Sequence, residues 1–205
     1  MKPSETQPEI DLFLASGSPR RRELLQQIGV RFDVLRISVE ECHQAQESPK
    51  DYVLRLAKEK AQAGVALAGQ QKLGDEMPVL GADTIGVLDG NILEKPIDED
   101  DAVDMLMRMA GRSHSVISGV ALATTARCLA SVCETRVQFG AISESLARRY
   151  WQTGEPRDKS GAYGIQGKGA VFVDSIEGSY SNVVGLPLTE TAALLKRFGV
   201  PVWTT

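Results

Sequence analysis

Residues 14–29 read LASGSPRRRELLQQIG. Upstream, the apolar run IDLFLAS (10–16) has the composition of a short buried strand. Ser16-Gly17-Ser18-Pro19 is a small-residue turn. Pro19 suits the first position of a helix, where its missing N–H costs nothing, and Ser18 suits the N-cap. Leu24, Leu25 and Ile28 then share one helical face, and Gly29 ends the helix. A strand, a tight turn and a helix in sixteen residues point to an α/β chain.

The rest of the sequence extends that pattern. VRFDVLRIS (30–38) reads as a second strand. Residues 48–69 read as a long helix, capped by Ser48 with Pro49 at its first position and with Tyr52, Val53, Leu56, Ala57 and Ala63 on its apolar face. MPVLGADTIGVLDGNILEKP (77–96) reads as a strand, a functional turn at GADT, a second strand and a hairpin turn at Asp89-Gly90. An acid-led helix follows (98–111), then two strand-like runs (113–125 and 128–140) and a helix capped by Ser143. Residues 160–179 are glycine-rich and then strand-like, and a final Thr-capped helix runs from Pro187. Strands and helices alternate, but not strictly. The expected fold is α/β, an elongated mixed sheet with flanking helices and two lobes around a cleft.

Bulk composition narrows the function. The chain has 205 residues, 42% of them hydrophobic, enough for one sizeable core-bearing domain, expected at 10–205. Residues 1–9 (MKPSETQPE) are polar, contain two prolines and are expected to form a poorly ordered tail without the apolar core of a signal peptide. With 23 basic and 27 acidic residues the formal charge is −4, so broad nucleic-acid binding is not expected. No stretch reads as a membrane span. Three cysteines (Cys42, Cys128, Cys133) without a CxxC pair fit a reducing compartment, here the cytoplasm, and read as small hydrophobes. His43 and His114 lack metal-ligand spacing, and His114, between two serines, reads as a hydrogen-bonding partner.

Three stretches carry chemistry. Cations are unfavourable at the positive end of a helix unless an anion offsets them, so Arg20, Arg21 and Arg22 after a small-residue turn point to phosphate. The spacing is not that of a Walker loop, and a plain solvated helix end is the alternative. Asp83, after Gly81-Ala82 at the expected end of a strand, can hold a divalent ion or take a proton from water; an Asx-turn role is the alternative. Glu40 and Glu41 follow the second strand, Lys58 and Lys60 lie on the long helix, and Lys95 follows the hairpin. Such cations and acids at strand ends suit a metal-assisted triphosphate site. In DKSGAYGIQGKGAVFV (158–173), Gly161, Gly164, Gly167 and Gly169 allow close backbone approach to a ligand. Tyr163 offers a stacking face there, and Gln166 a donor and an acceptor for a base edge.

Together, LASGSPRRRELL, RLAKEKA, GADTIGVLDGNILEKP, SHSVISGVAL, DKSGAYGIQGKGAVFV and SYSNVVGLPLTET resemble the Maf family of nucleoside triphosphate pyrophosphatases, over residues 11–198. The resemblance implies a fold like that of inosine-triphosphate pyrophosphatase. It implies hydrolysis between the α- and β-phosphates with a divalent metal, Mg²⁺ or Mn²⁺. Carried over by motif, Asp83 is the general base, and Ser16, Arg20, Arg21, Lys60 and Lys95 grip the triphosphate. Glu40 matches an acid near the metal, which Asp83 could also ligate, although SVEE departs from the usual DIDE-like run. GADT and GAYGIQG resemble the branch preferring dTTP and UTP, with Arg21, Thr84 and Gln166 at the positions that set this preference. A 7-methyl-GTP or purine pyrophosphatase and a non-catalytic, septum-related nucleotide binder are the alternatives. Family members are often homodimers.

Overall fold

The computed structural model describes residues 10–74 and 76–203, so the tail at 1–9 lies outside the described residues. The first strand, β1 (Leu12–Leu14), leads into α1 (Pro19–Gln27), whose N-cap Ser18 accepts from the Arg21 amide. β2 (Phe32–Val34) and the long α2 (Pro49–Gln70) follow, the latter capped by Ser48 accepting from the Asp51 amide. β3 (Val79–Leu88) and β4 (Asn91–Leu93) form a hairpin. Its turn residues Asp89 and Gly90 both have positive φ, 52° and 79°, the geometry that matches the twist of the two strands. Then come α3 (Glu99–Met109), β5 (Ser113–Ala123), β6 (Cys128–Phe139) and α4 (Glu144–Gln152), capped by Ser143. β7 (Val173–Glu177), the one-turn α5 (Tyr180–Val184) and α6 (Leu188–Arg197) close the chain.

Among the described residues these strands make one mixed sheet in the order β2-β1-β3-β5-β6-β7, with β4 paired to β3. β1 runs parallel to β2 and β3, and the remaining pairs are antiparallel. Two apolar cores lie toward opposite ends of the long central strands. One gathers Leu12, Leu14, Leu25, Leu80, Leu122 and Leu195 between the sheet, α1 and α6. The other gathers Leu88, Leu106, Met109, Phe139, Tyr150 and Phe172 beneath α3 and α4. These are the two expected lobes, bridged by β3 and β5.

Several expectations change. GADT is not a turn: β3 runs unbroken from Val79 to Leu88, and Asp83 stands in its middle, not at a strand end. The small residues that suggested a turn serve close approach instead. A Cβ on Gly81 would lie 2.5 Å from the Ala61 backbone nitrogen, and one on Gly119 would lie 2.6 Å from the Val53 carbonyl carbon. Glycine at both positions lets the backbone of α2 rest directly on β3 and β5. On α2 the buried face includes Lys60, Ala61 and Gly64, whereas Ala63 is only half-buried. The second strand shrinks to Phe32–Val34 at the sheet edge. α6 has Pro187 at its cap and no side-chain cap, because Thr189 already lies inside the helix. Cys42 is exposed rather than packed as a small hydrophobe.

Candidate active site

The cleft arises from a mismatch in strand length. β1 ends at Leu14, opposite Leu80, and β4 takes up pairing with β3 only from Gly86. Among the described residues, no strand pairs with that edge of β3 over Ala82–Ile85, although its other edge is paired with β5 throughout. Successive strand residues point to opposite faces. At an open edge both faces can reach the same space, and a cleft of about 1020 Å³ is lined by both Asp83 and Thr84.

On the α2 side, Asp83 meets Lys60, whose ammonium donates to its carboxylate at 2.7 Å. The same ammonium lies 2.6 Å from Glu41 Oε1. Lys60 and Asp83 are both only 7% exposed, so the pair faces water only through the cleft. Tyr52, about two turns earlier on the same buried face of α2, donates its hydroxyl to the Glu41 carbonyl at 3.1 Å and holds that loop against α2. Burial disfavours charge on Glu41. The Lys60 hydrogen bond and charge, aided by Lys95 and Arg21, outweigh burial and hold the carboxyl below its ordinary range. The Asp83–Lys60–Glu41 group thus presents carboxylate to the cleft with one ammonium locked between two acids.

On the other face, Arg21 is a hub. It donates from Nε to the Gly185 carbonyl at 2.9 Å, to Ser16 Oγ at 3.2 Å and to Thr84 Oγ1 at 3.3 Å. Thr84 also bonds Ser118 Oγ at 2.8 Å, and Ser118 donates to the Asn182 carbonyl. Arg21 therefore ties the start of α1 to β3 and to the turn after α5. Arg20 lines the cleft more freely, with an ion pair to Asp158 at 3.5 Å. Arg22 is exposed and lies outside the cleft lining.

The remaining wall comes from the second lobe. Lys95 and Gln166 are exposed and line the cleft. Tyr163 does not offer a stacking face. It is buried edge-to-face against His114 and Phe139, and its hydroxyl meets His114 Nε2 at 2.8 Å. This is the partner role read for His114, whose pKa burial pushes down to about 4, leaving it neutral at pH 7. Ser160, unforeseen from the sequence, accepts from the Gly86 amide and donates to the Leu93 carbonyl, fastening the glycine-rich segment to β3 and β4.

Thus Ser16, Arg20, Arg21, Lys60, Asp83, Thr84, Lys95 and Gln166 share one cleft. Glu40 does not join them. It is exposed, and its carboxylate accepts from the Cys42 thiol, while the neighbouring Glu41 lines the cleft. The motif match points to Glu40, but SVEE departs from the usual run, and the acid that reaches the cleft is its neighbour. Lys60 also differs from its expected part, since its ammonium is already held by two carboxylates. Among the described residues no group of three or more His, Cys, Asp or Glu is placed to hold a metal alone. Two carboxylates in a cation-lined cleft fit a Mg²⁺-like ion, which keeps several waters and uses one or two carboxylates with phosphate oxygens.

Comparison with known proteins adds an independent line. The family model "Maf-like protein" matches residues 11–198. A Saccharophagus degradans protein named dTTP/UTP pyrophosphatase is 54% identical over 193 residues, covering 94% of this chain and 91% of its own. Proteins of the same name from Aliivibrio fischeri and Shigella sonnei are 53% and 51% identical, over 93% and 91% of this chain and 99% and 92% of theirs. A solved structure, protein VC0702 from Vibrio cholerae, matches 70% of each chain at 13% identity and a TM-score of 0.30, too distant to bear on the argument.

Proposed function

This chain belongs to the Maf-like protein family, and from that premise we propose that it is a nucleoside triphosphate pyrophosphatase acting on dTTP and UTP. The reaction adds water across the α–β anhydride and gives a nucleoside monophosphate and pyrophosphate. The observation that carries this reading is the open edge of β3, which places a locked carboxylate pair and a set of cations on facing walls of one cleft.

In this reading the phosphates lie between Arg20, Lys95 and the α1 N-terminus, where guanidinium, ammonium and free backbone N–H groups all favour negative charge. Arg21 holds Ser16 and Thr84 in position and itself lines the cleft. Gln166, with both a donor and an acceptor, meets the base edge. Asp83 takes the proton of the attacking water. Lys60 orients Asp83, and Glu41 holds the other side of the same ammonium. A Mg²⁺ or Mn²⁺ ion held by Asp83 and Glu41 would neutralise phosphate charge and polarise the anhydride. The three free cysteines suit a reducing compartment such as the cytoplasm, and no helix among the described residues is long and apolar enough to cross a membrane.

The test is product analysis on the full chain with dTTP, UTP, 7-methyl-GTP and purine triphosphates, with and without Mg²⁺ or Mn²⁺. Pyrophosphate is measured with and without added inorganic pyrophosphatase. The expected result is metal-dependent release of pyrophosphate from dTTP and UTP. Direct release of orthophosphate places the cut at the wrong bond and overturns the reading, and preference for 7-methyl-GTP overturns the substrate assignment.

A further inference from the structure

The turn that carries Gln166 is built around one carboxylate. Glu155 lies between α4 and the glycine-rich segment, half-buried, and its side chain points into that segment. Oε2 accepts from the Lys168 amide at 2.9 Å, and Oε1 accepts from the Gly169 amide at 3.1 Å. Oε1 also accepts from the Tyr150 hydroxyl at 2.7 Å, and that hydroxyl accepts in turn from the Gly164 amide at 3.1 Å. Three amides of the 164–169 turn thus converge on one carboxylate, two directly and one through a buried phenol.

The glycines follow from the same arrangement. A Cβ on Gly167 would collide with the Glu155 carboxylate, and one on Gly169 would lie 2.7 Å from the Tyr150 hydroxyl oxygen. A Cβ on Gly164 would lie 2.7 Å from Lys159 Cε, on the lysine whose ammonium donates to the Glu155 carbonyl. The backbone wraps tightly around the acid, and side chains at Gly167 and Gly169 would press on the carboxylate and on the phenol bound to it. Gln166 is left as the exposed tip, on the cleft wall.

We propose that Glu155 is the positioning residue of the base-recognition tip: it folds the Gly164–Gly169 turn in advance so that Gln166 stands at a fixed height over the cleft. The proposal deepens the functional reading above and rests on its assignment of Gln166 to the base. Preorganised amides hold Gln166 without ordering cost at binding. Asp83, Lys60 and Glu41 sit on β3, α2 and the loop before α2, outside this network. Loss of Glu155 should therefore fall on KM and on base discrimination, and leave kcat nearly intact.

Four variants of the full chain test this: Glu155→Ala, Glu155→Gln, Tyr150→Phe and Gln166→Ala. Glu155→Gln keeps one accepting oxygen but sets an amide against an N–H donor, so it should rescue in part. Tyr150→Phe keeps the buried ring and removes the bridging hydroxyl. Amide hydrogen exchange over residues 164–169 in the ligand-free protein should rise in all three network variants, most in Glu155→Ala. The dTTP KM should rise about tenfold or more in Glu155→Ala, the scale of a lost charge-assisted hydrogen bond, with kcat within about threefold and a smaller dTTP-to-GTP preference. Glu155→Gln and Tyr150→Phe should fall between it and the wild type. Unchanged exchange in Glu155→Ala overturns the anchor, as does a loss confined to kcat. If Gln166→Ala weakens dTTP and Glu155→Ala does not, the positioning role alone is wrong. If Gln166→Ala leaves dTTP selectivity unmoved, the assignment of Gln166 to the base is wrong and the proposal falls with it.

Discussion

Replacing Asp83 with Asn keeps the side-chain shape and removes its charge. In the folded chain, Asp83 accepts from Lys60 at 2.7 Å while Lys60 keeps a second carboxylate, Glu41, at 2.6 Å. The lysine is therefore not stranded. The asparagine carbonyl can still accept from it, so an ion pair becomes a hydrogen bond from the ammonium to a neutral oxygen, a loss of about 1 kcal/mol. For a chain of this size that lowers Tm by about 2–4 °C, and the protein should stay folded at assay temperature. Turnover should suffer far more, because removing a general base lowers rate by about a hundredfold to ten-thousandfold. Nucleotide binding should survive or tighten, since one negative charge beside the phosphates is gone and the cations on the facing wall remain. The assay is kcat for dTTP by pyrophosphate release, beside a direct binding titration and a melting curve. A variant that folds, binds dTTP and turns over within about fivefold of the wild type would refute the role assigned to Asp83, and Glu41 would become the base to test.

Lys60→Met should destabilise the fold by about 3 kcal/mol, the low end for removing one partner of a buried pair, because Glu41 is 45% exposed and water relieves part of the repulsion. Without the ammonium, Glu41 loses the hydrogen bond and charge that hold its carboxyl down, and burial raises it above its unfolded value. Such a group stabilises the fold at low pH and loses that contribution as pH rises through its folded pKa, so the deficit in melting curves should be larger at pH 8 than at pH 5. Arg20→Ala should lower kcat/KM for dTTP by about tenfold to a hundredfold while barely moving Tm, since it loses a phosphate contact and only an exposed ion pair with Asp158; unchanged kinetics would return Arg20 to the status of an ordinary helix-end charge. Gly81→Ala should cost about 1–3 kcal/mol by overpacking and also slow turnover, because its methyl would press on the α2 backbone at Ala61 and move Lys60 from Asp83; a normal Tm would show that helix and strand are not in close contact. Burial depresses His114 from 6.5 to about 4, so the stability tied to its neutral form is present above pH 6.5 and lost as pH falls toward 4; His114→Gln should flatten that part of the stability–pH curve, and an unchanged slope would exclude His114 as its source.

What the sequence by itself determined was local. Ser18 with Pro19, Ser48 with Pro49, Ser143 and the Asp89-Gly90 hairpin are where the residues alone put them, because caps and tight turns depend on neighbours within about four positions. The family motifs likewise pointed to residues that share the cleft, Asp83 and the two arginines among them. The tertiary structure decided where each of those residues stands and what it touches. Gly81-Ala82-Asp83-Thr84 looks like a turn from its small residues, yet α2 covers one face and the Leu80 core the other, so the segment stays extended and the glycine becomes a contact. Arg20 and Arg21 are adjacent and chemically identical, but only Arg21 lies within reach of Gly185, 164 residues away along the chain. Glu40 and Glu41 differ only in which side of the loop each occupies, and Lys60 became a clamp because β3 presents Asp83 beneath it. Tyr163 turned inward to His114 because the second lobe's core offered its ring more burial than the cleft did. Each of these outcomes depends on a partner distant in sequence, and that pairing exists only once the strands have found their register and the helices their faces.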